Sequence, residues 1–312
     1  MDNILTDPIW LGMFGVYAVL GTAAASILLL KNRLKDKDFS ELVARTKTWG
    51  YIILMATVVL ALGTKAAIIA IGFISFLALK EYFTLVPTRK VDRRVLLWAY
   101  LCVPIQYYWV FIGWYGLFII FIPVYALLFI AFRLILAGET SGYIKSVGTM
   151  HWGLMLTVFN LSHLAFLLVM PTTVELPAGG AGLLFYVLFL TQFNDVAQYF
   201  WGKLFGKHQV TEISPGKSWE GLIGGICTTT VLAIILAPFY TPFTWPYAMA
   251  AGALIASVGF IGDVTISAVK RDLGTKDSGS LLPGHGGVLD RLDSLTLAAP
   301  LFLHFTRYFF GG

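Results

Sequence analysis

Two polar segments, 194–221 and 263–293, interrupt the apolar C-terminal half of the chain. The second segment carries five carboxylates, four Lys and Arg residues and one His between two apolar stretches. Ionisable groups beside hydrocarbon cost on the order of 2.5–3.5 kcal/mol each, so such a cluster indicates a functional site. Carboxylates bind hard divalent cations, while Lys and Arg neutralise phosphate. Together they indicate phosphoryl or nucleotidyl transfer.

Helical spacing brings several of these side chains together. If a helix continues through Asp263, then Asp263, Ser267 and Lys270 lie at i, i+4 and i+7 on one face. A second helix is predicted after a Gly-Gly turn, with Asp290 and Asp293 on one face of its first turns. Glycines permit close backbone approach, and the free N–H groups of a helix start favour phosphate. Facing carboxylates from two helix ends form a plausible cage for one or two divalent cations.

The upstream segment has the same character. Asn194, Asp195 and Gln198 share one face at the end of a predicted helix, and a Pro/Gly turn with Lys217 follows. This turn is not a P-loop, because the required glycine spacing is missing. Taken alone, the segment is weak evidence for a function.

The elements that position these residues are membrane helices. The chain has 312 residues, of which 58% are hydrophobic and only 12% charged, whereas ordinary globular domains carry about 25% charged residues. We predict an all-α polytopic integral membrane protein with about nine to ten transmembrane helices in a single domain, 1–312. Tight turns within 49–80 and 95–132 leave open that some helices are re-entrant or half-length. The candidate helices are 9–30, 49–63, 66–80, 95–111, 114–132, 150–170, 181–200, 220–238, 246–262 and 294–310.

The basic residues predict an orientation. In this scheme all Lys and Arg residues except Lys65 and Arg307 fall on one side of the membrane. The positive-inside rule makes that side cytoplasmic, with both polar segments on it and both termini outside. The cell inner (plasma) membrane is the expected location. Glu81, at the cytoplasmic end of its helix, either pairs with a basic neighbour or lines a lipid entrance.

The pattern in the second polar segment is specific. It reads Ser267-x-Val269-Lys270-Arg271, four residues, Lys276-Asp277-x-Gly279, then Leu282-Pro283-x-His285-Gly286-Gly287-Val288-x-Asp290-Arg291-Leu292-Asp293. This pattern resembles the signature of the CDP-diacylglycerol synthase (phosphatidate cytidylyltransferase) family at every defined position. The resemblance extends upstream through Asn194-Asp195, Gly202, Lys203, Gly206, Ser214-Pro215, Lys217-Ser218 and Glu220-Gly221. It departs at Gly216, where the family usually has a second Lys, and at Ser218, where Thr is common.

The resemblance implies a reaction and a set of roles. CTP and phosphatidate would give CDP-diacylglycerol and pyrophosphate for phospholipid synthesis, with catalytic metal ions. Availability and oxygen ligation favour Mg²⁺, possibly with a second monovalent or divalent cation. The implied metal ligands are Asp263, Asp290 and Asp293. The implied catalytic residues are Asp263, Lys270, Arg271, Asp290 and Arg291. The implied substrate-binding residues are Asp195, Lys203, Lys217, Ser267, Lys276, His285, Gly286 and Gly287.

Two other functions remain open at this stage. The lipid substrate could be a different lipid phosphate, with the same cytidylyl transfer. A secondary transporter also has intramembrane carboxylates, but here the acids cluster at helix ends beside Lys and Arg, and no inverted repeat is visible. The expected partners are CTP, a phosphatidic-acid-type lipid and membrane lipids, with no nucleic acid, and possibly a second copy in a homodimer.

Overall fold

A computed structural model describes residues 7–33, 38–90, 92–279 and 286–312. Regular structure in these ranges is helical, and the only strand-like features there are two isolated bridges, Thr172 with Gly311 and Gln209 with Ser218. The prediction of an all-α fold is therefore confirmed.

Twelve α-helices follow one another in the described chain. A π-helical turn at Phe121–Ala126 joins α5 to α6, and another at Met155–Phe159 joins α7 to α8, so each of these pairs forms one long helical rod. The helices are α1 Pro8–Arg33, α2 Ser40–Ala61, α3 Thr64–Leu85, α4 Arg93–Phe111, α5 Tyr115–Ile120, α6 Leu127–Ile135, α7 Tyr143–Leu154, α8 Asn160–Leu167, α9 Gly179–Phe205, α10 Trp219–Tyr240, α11 Trp245–Asp272 and α12 Leu289–Phe310.

When each joined pair is counted once, the twelve helices form ten long rods. Eight rods in the described chain are long and apolar enough to cross a membrane, and α4 and α12 are the two outside that set. Both carry charges near their starts, at Arg93 and Arg94 in α4 and at Asp290, Arg291 and Asp293 in α12. The polytopic architecture is confirmed, while the count of nine to ten spans stays a prediction.

The tight turns do not shorten the helices they join. Both α2 and α3 contain 22 residues, because each continues beyond its apolar stretch into polar or charged residues. The α11 helix likewise runs on through Asp263 to Asp272. Residues 263–272, predicted as part of a polar segment, are therefore the last turns of a helix and hold their side chains on defined faces.

The connections sort into two ends of the bundle. At one end Arg89 reaches the Glu139 carbonyl, and Lys217 pairs with Asp263. At the other end the Tyr240 hydroxyl donates to the Pro8 carbonyl. The first end is called the basic end below, since it holds the connections with most Lys and Arg. The grouping agrees with the predicted topology, and the assignment of the basic end to the cytoplasm stays a prediction.

The rod 143–167 lies at the centre of the bundle, with 83% of its 18-residue apolar stretch buried. Helix α1 lies at the periphery, with 6% of the corresponding stretch buried. The C-terminal helices pack in the order α9, α10, α11 and α12. Small residues allow the closest crossings, and a Cβ added at Gly262 would lie 2.5 Å from the Asp293 carbonyl oxygen. This close approach of α11 and α12 brings Asp263 towards Asp293.

A buried ion pair closes the connection before α4. Asp92 is 1% exposed; it accepts hydrogen bonds from Arg89 Nη2 at 2.7 Å and Nε at 2.8 Å, and from Ser146 Oγ at 2.6 Å. Burial raises the pKa of the Asp92 carboxyl, but these hydrogen bonds and the Arg89 charge outweigh burial and hold the pKa below its ordinary value of 3.8. The ion pair therefore ties α4 to α7 at the basic end.

The Asp92 contacts predict acid sensitivity. A carboxyl whose pKa is depressed by folding stabilises the protein above its ordinary pKa, and that stability is lost as the pH falls through the folded pKa. Asp92→Asn should therefore lower the melting temperature at pH 7 and flatten its decline below about pH 4. Thermal melts in detergent between pH 3 and pH 7 measure both effects. Parallel curves for wild type and variant would contradict the prediction.

Candidate active site

Asp290 ties three parts of the basic end together. Its Oδ1 accepts from Lys270 Nζ at 2.7 Å, and its Oδ2 accepts from the backbone N–H groups of Ser278 at 2.8 Å and Gly287 at 3.0 Å. The two charged side chains are mostly buried, with 5% of Asp290 and 14% of Lys270 exposed. Both carboxylate oxygens of Asp290 are thus engaged by α11 and by the connection between α11 and α12.

The predicted Gly-Gly turn has a steric reason. Gly286 has a φ of 80°, in the left-handed region that favours glycine. A Cβ at this position would also lie 2.7 Å from Oδ2 of Asp290. The turn therefore lets the backbone lie against the carboxylate, and α12 begins directly after it at Leu289.

Three further carboxylates gather around the crossing of α9, α11 and α12. Asp195, Asp263 and Asp293 repel one another electrostatically. Asp195 accepts a hydrogen bond from Ser294 Oγ at 3.0 Å, and Asp263 accepts from Ser267 Oγ at 3.3 Å. Asp263 and Ser267 therefore share one face of α11, as predicted.

Positive groups surround these acids. Lys217 forms an ion pair with Asp263 and also lies over the Phe260 ring, 4.8 Å from its centroid. Arg291 interacts electrostatically with Asp195. The Arg291 Nε atom is buried and has no hydrogen-bond partner among the described residues. A buried donor without a partner is costly, and an anionic oxygen would satisfy it.

The Lys217 connection is held in place from both sides. Ser218 caps α10 by accepting from the Gly221 N–H at 3.1 Å. Glu220 accepts from the backbone N–H groups of Lys207 and His208, at 3.1 and 3.3 Å. A Cβ added at Gly216 would meet nothing within 4 Å. The connection therefore presents Lys217 to the acids and leaves open space at its neighbour.

The acid cluster suits a hard divalent cation in donor type. Carboxylate oxygens are the ligands such cations prefer, and the mutual repulsion of Asp195, Asp263 and Asp293 is relieved by positive charge. No group of three ligating side chains is preassembled in the described ranges, and Lys217 and Lys270 occupy oxygens of Asp263 and Asp290. The metal roles of Asp263, Asp290 and Asp293 remain predictions.

Three basic residues that the resemblance implies for the site lie apart from this cluster. Lys203 is exposed and lies over the Tyr199 ring, 5.8 Å from its centroid. Arg271 is exposed and donates to the Thr275 carbonyl at 3.4 Å. It points away from the site that Lys270 enters, because consecutive helical residues point about 100° apart. Lys276 is exposed as well. His285 lies outside the described residues.

The sequence analysis assigned no site role to Ser278 or Ser294, and for Glu81 it offered a basic partner or a lipid entrance. Ser294 holds Asp195 through its hydroxyl. Glu81 accepts from the Ser278 hydroxyl and from the Val288 N–H, so its hydrogen bonds go to the signature segment and not to a basic neighbour. Ser294 could have been identified from the sequence, because it directly follows Asp293. Glu81 and Ser278 are 197 positions apart, and nothing local connects them.

Acids and bases thus converge at one end of a helical membrane bundle, and these features define a polytopic α-helical membrane protein with a site suited to phosphate groups. The chain belongs to the cytidylyltransferase family, whose model matches residues 43–309. It is 42% identical over 294 residues to the uncharacterized protein YnbB of Escherichia coli, covering 94% of this chain and 96% of that protein.

The chain is also similar to named enzymes. It is 47% identical over 140 residues to the phosphatidate cytidylyltransferase of Haemophilus influenzae, covering 43% of this chain and 48% of that enzyme. The corresponding enzyme of Pseudomonas aeruginosa is 44% identical over 124 residues, covering 39% of this chain and 46% of that enzyme. These alignments span about half the length of the named enzymes. The resemblance in the signature is thus confirmed as family membership.

Proposed function

We propose that the protein transfers the cytidylyl group of CTP to a phosphatidic-acid-type lipid phosphate, giving a CDP-lipid and pyrophosphate. The observation that carries this proposal is the convergence of Asp195, Asp263 and Asp293 with Lys217 and Arg291 at the basic end. The phosphatidate cytidylyltransferases of Haemophilus and Pseudomonas support the reaction class.

The reaction is an in-line displacement at phosphorus. An oxygen of the lipid phosphate forms a bond to the α-phosphorus of CTP, and the bond from that phosphorus to the α,β-bridging oxygen breaks, so pyrophosphate leaves with the electron pair. The lipid phosphate is already an anionic nucleophile and needs little general-base help. The main difficulty is the repulsion between two anions, which positive side chains and in-line positioning reduce.

Individual residues take parts in this scheme. Lys217 and Arg291 would bind phosphate oxygens, and the Arg291 Nε without a partner supports that role. Lys270 would orient Asp290, its ion-pair partner, whose hydrogen bonds from Ser278 and Gly287 place the segment that leads into Arg291. Asp263 and Asp293, with Asp195 beside them, would hold Mg²⁺. A bound Mg²⁺ supplies charge neutralisation for the triphosphate and the leaving pyrophosphate.

The membrane supplies the second substrate. CTP would enter from the cytoplasm at the basic end, and the lipid would reach the site laterally from the cytoplasmic leaflet of the inner membrane. A homodimer stays a prediction. A different lipid phosphate is the second candidate substrate, since the alignments to the phosphatidate cytidylyltransferases of Haemophilus and Pseudomonas cover 43% and 39% of this chain.

Turnover of labelled CTP tests the proposal. Detergent-purified protein should convert phosphatidate to CDP-diacylglycerol with Mg²⁺ and give no product when Mg²⁺ is chelated. CTP binding with no product from phosphatidate, but with product from another lipid phosphate, would keep the reaction and change the lipid. Absence of CTP binding would contradict the proposal and favour the transporter interpretation.

A further inference from the structure

Glu81 reaches the signature segment from the other half of the chain. It lies near the C-terminal end of α3, Thr64–Leu85. Its Oε1 accepts from the Ser278 hydroxyl, and its Oε2 accepts from the Val288 N–H at 2.7 Å. Ser278 and Val288 are 2% and 8% exposed. The carboxylate therefore bonds to the connection between α11 and α12 on both sides of the stretch 280–285.

Asp290, in α12, binds the same connection between α11 and α12. It accepts from the N–H groups of Ser278 and Gly287, while Glu81 accepts from the Ser278 hydroxyl and the adjacent Val288 N–H. Two carboxylates thus make four hydrogen bonds to the two ends of one segment. We call this arrangement, Glu81 and Asp290 with Ser278, Gly287 and Val288, the carboxylate clasp.

Two signature glycines are explained by the clasp. A Cβ at Gly287 would overlap the Glu81 carboxylate, and a Cβ at Gly279 would lie 2.9 Å from Oε1 of Glu81. Gly279 and Gly287 have no positive φ, so their need for glycine comes from space and not from backbone conformation. The signature backbone is therefore shaped to fit a side chain from α3.

Among the residues that the structure describes, the Glu81 carboxylate bonds to neutral groups and not to a Lys or Arg. Asp290 is balanced by Lys270, whereas Glu81 is stabilised by the Ser278 hydroxyl and the Val288 N–H. An ionised carboxylate is acceptor-only and accepts both hydrogen bonds, but an amide at this position has one accepting oxygen and two donors. Replacing Glu81 by Gln would turn two charge-assisted hydrogen bonds into weaker neutral ones and reverse the Ser278 hydroxyl from donor to acceptor, so the segment would be held less tightly.

We propose that Glu81 is a positioning residue for the site, which holds the connection between α11 and α12 in the geometry needed for CTP turnover. This inference rests on the proposed function. The connection leads into Asp290 and Arg291, so a displaced clasp changes where those side chains lie. Misplacement by about 1 Å can cost 10²-fold in rate. Glu81 acts through the segment and needs no contact with CTP.

The test compares Glu81→Gln with Glu41→Gln. Glu41 pairs only with Arg45 on its own helix among the described residues, and it is exposed, so it controls for loss of a carboxylate. In Glu81→Gln, we expect amide hydrogen exchange to rise in peptides covering 273–279 and 286–288, and kcat to fall by about 10²-fold. The KM for the lipid should stay within about twofold, because a lost positioning contact affects the transition state more than lipid binding. Glu41→Gln should match wild type in each measurement.

Two further variants separate positioning from a general effect on folding. Ser278→Ala removes one hydrogen bond of the clasp, and it serves as the test if Glu81→Gln does not fold. Its effect on kcat should not fully add to that of Glu81→Gln, since both variants change the contact between residues 81 and 278. Glu81→Asp keeps the charge and should recover part of the rate.

The outcomes are separable from the proposed function. Hydrogen exchange requires no substrate, so it tests the clasp even if wild type does not turn over CTP. Unchanged exchange in Glu81→Gln would overturn the clasp. Raised exchange with wild-type kcat would overturn the positioning role, and an equal fall in kcat for Glu41→Gln would do the same. No CTP turnover by wild type would instead count against the proposed function.

Discussion

Asp290→Asn is expected to abolish CTP turnover and to destabilise the protein. Asp290 and Lys270 are 5% and 14% exposed, so the substitution leaves a buried lysine without its charge partner. Breaking a buried ion pair by removing one partner costs about 3–5 kcal/mol. The variant also weakens the hydrogen bonds from Ser278 and Gly287 that shape the signature segment. Thermal unfolding in detergent and CTP turnover measure the two effects.

A double variant separates stability from activity. Lys270→Met in the Asp290→Asn background removes the unpaired charge, and replacing both members of a buried pair is often close to neutral for stability. We expect the melting temperature to recover towards wild type while turnover stays absent. Recovery of both would mean that Asp290 is structural only, and wild-type stability of the single variant would contradict the buried ion pair.

Asp263→Asn is expected to reduce turnover strongly, to a low but measurable rate, with the fold intact. The side chains of Asp263 and Lys217 are 22% and 18% exposed, so the freed lysine can be solvated and the cost in stability should be about 1 kcal/mol or less. Loss of one preorganised electrostatic group in an active site costs on the order of 10²–10³ in kcat. The Mg²⁺ concentration for half-maximal rate should also rise, because Asp263 belongs to the acid cluster.

Asp272→Asn is a matched control for this prediction. Asp272 is exposed at the end of the same helix and takes no part in the proposed site. We expect its kcat and Mg²⁺ dependence to equal those of wild type. A wild-type rate for Asp263→Asn would remove Asp263 from the site, and an equal loss in Asp272→Asn would point to a general charge effect at the basic end.

Local patterns in the sequence were sufficient for much of the architecture. Long apolar runs predicted helices within all ten rods, because hydrocarbon demands that each spanning segment satisfy its own backbone hydrogen bonds. Helical periodicity predicted that Asp263 and Ser267 share a face, and they are in contact. The Gly-Gly turn predicted the start of α12. Composition did not predict helix ends, since α2 and α11 continue into charged residues.

Pairings between helices depended on the tertiary structure. Lys270 was predicted on the face of Asp263, but its ion pair is with Asp290, 20 positions away. Lys203 and Arg271 matched the signature by residue type, and in the fold both point outwards. Periodicity gives a face relative to a helix axis, whereas the neighbour of that face depends on how helices cross and rotate.

The sequence by itself determined the helical membrane architecture, the gathering of charge at one end and the family, because these depend on composition, period and short motifs. Only the tertiary structure decided which acid pairs with which base, and that Glu81 from α3 holds the signature segment. The physical reason is that hydropathy and helical period act within a few residues, while the contact of Glu81 with Ser278 joins residues 197 positions apart through helix packing.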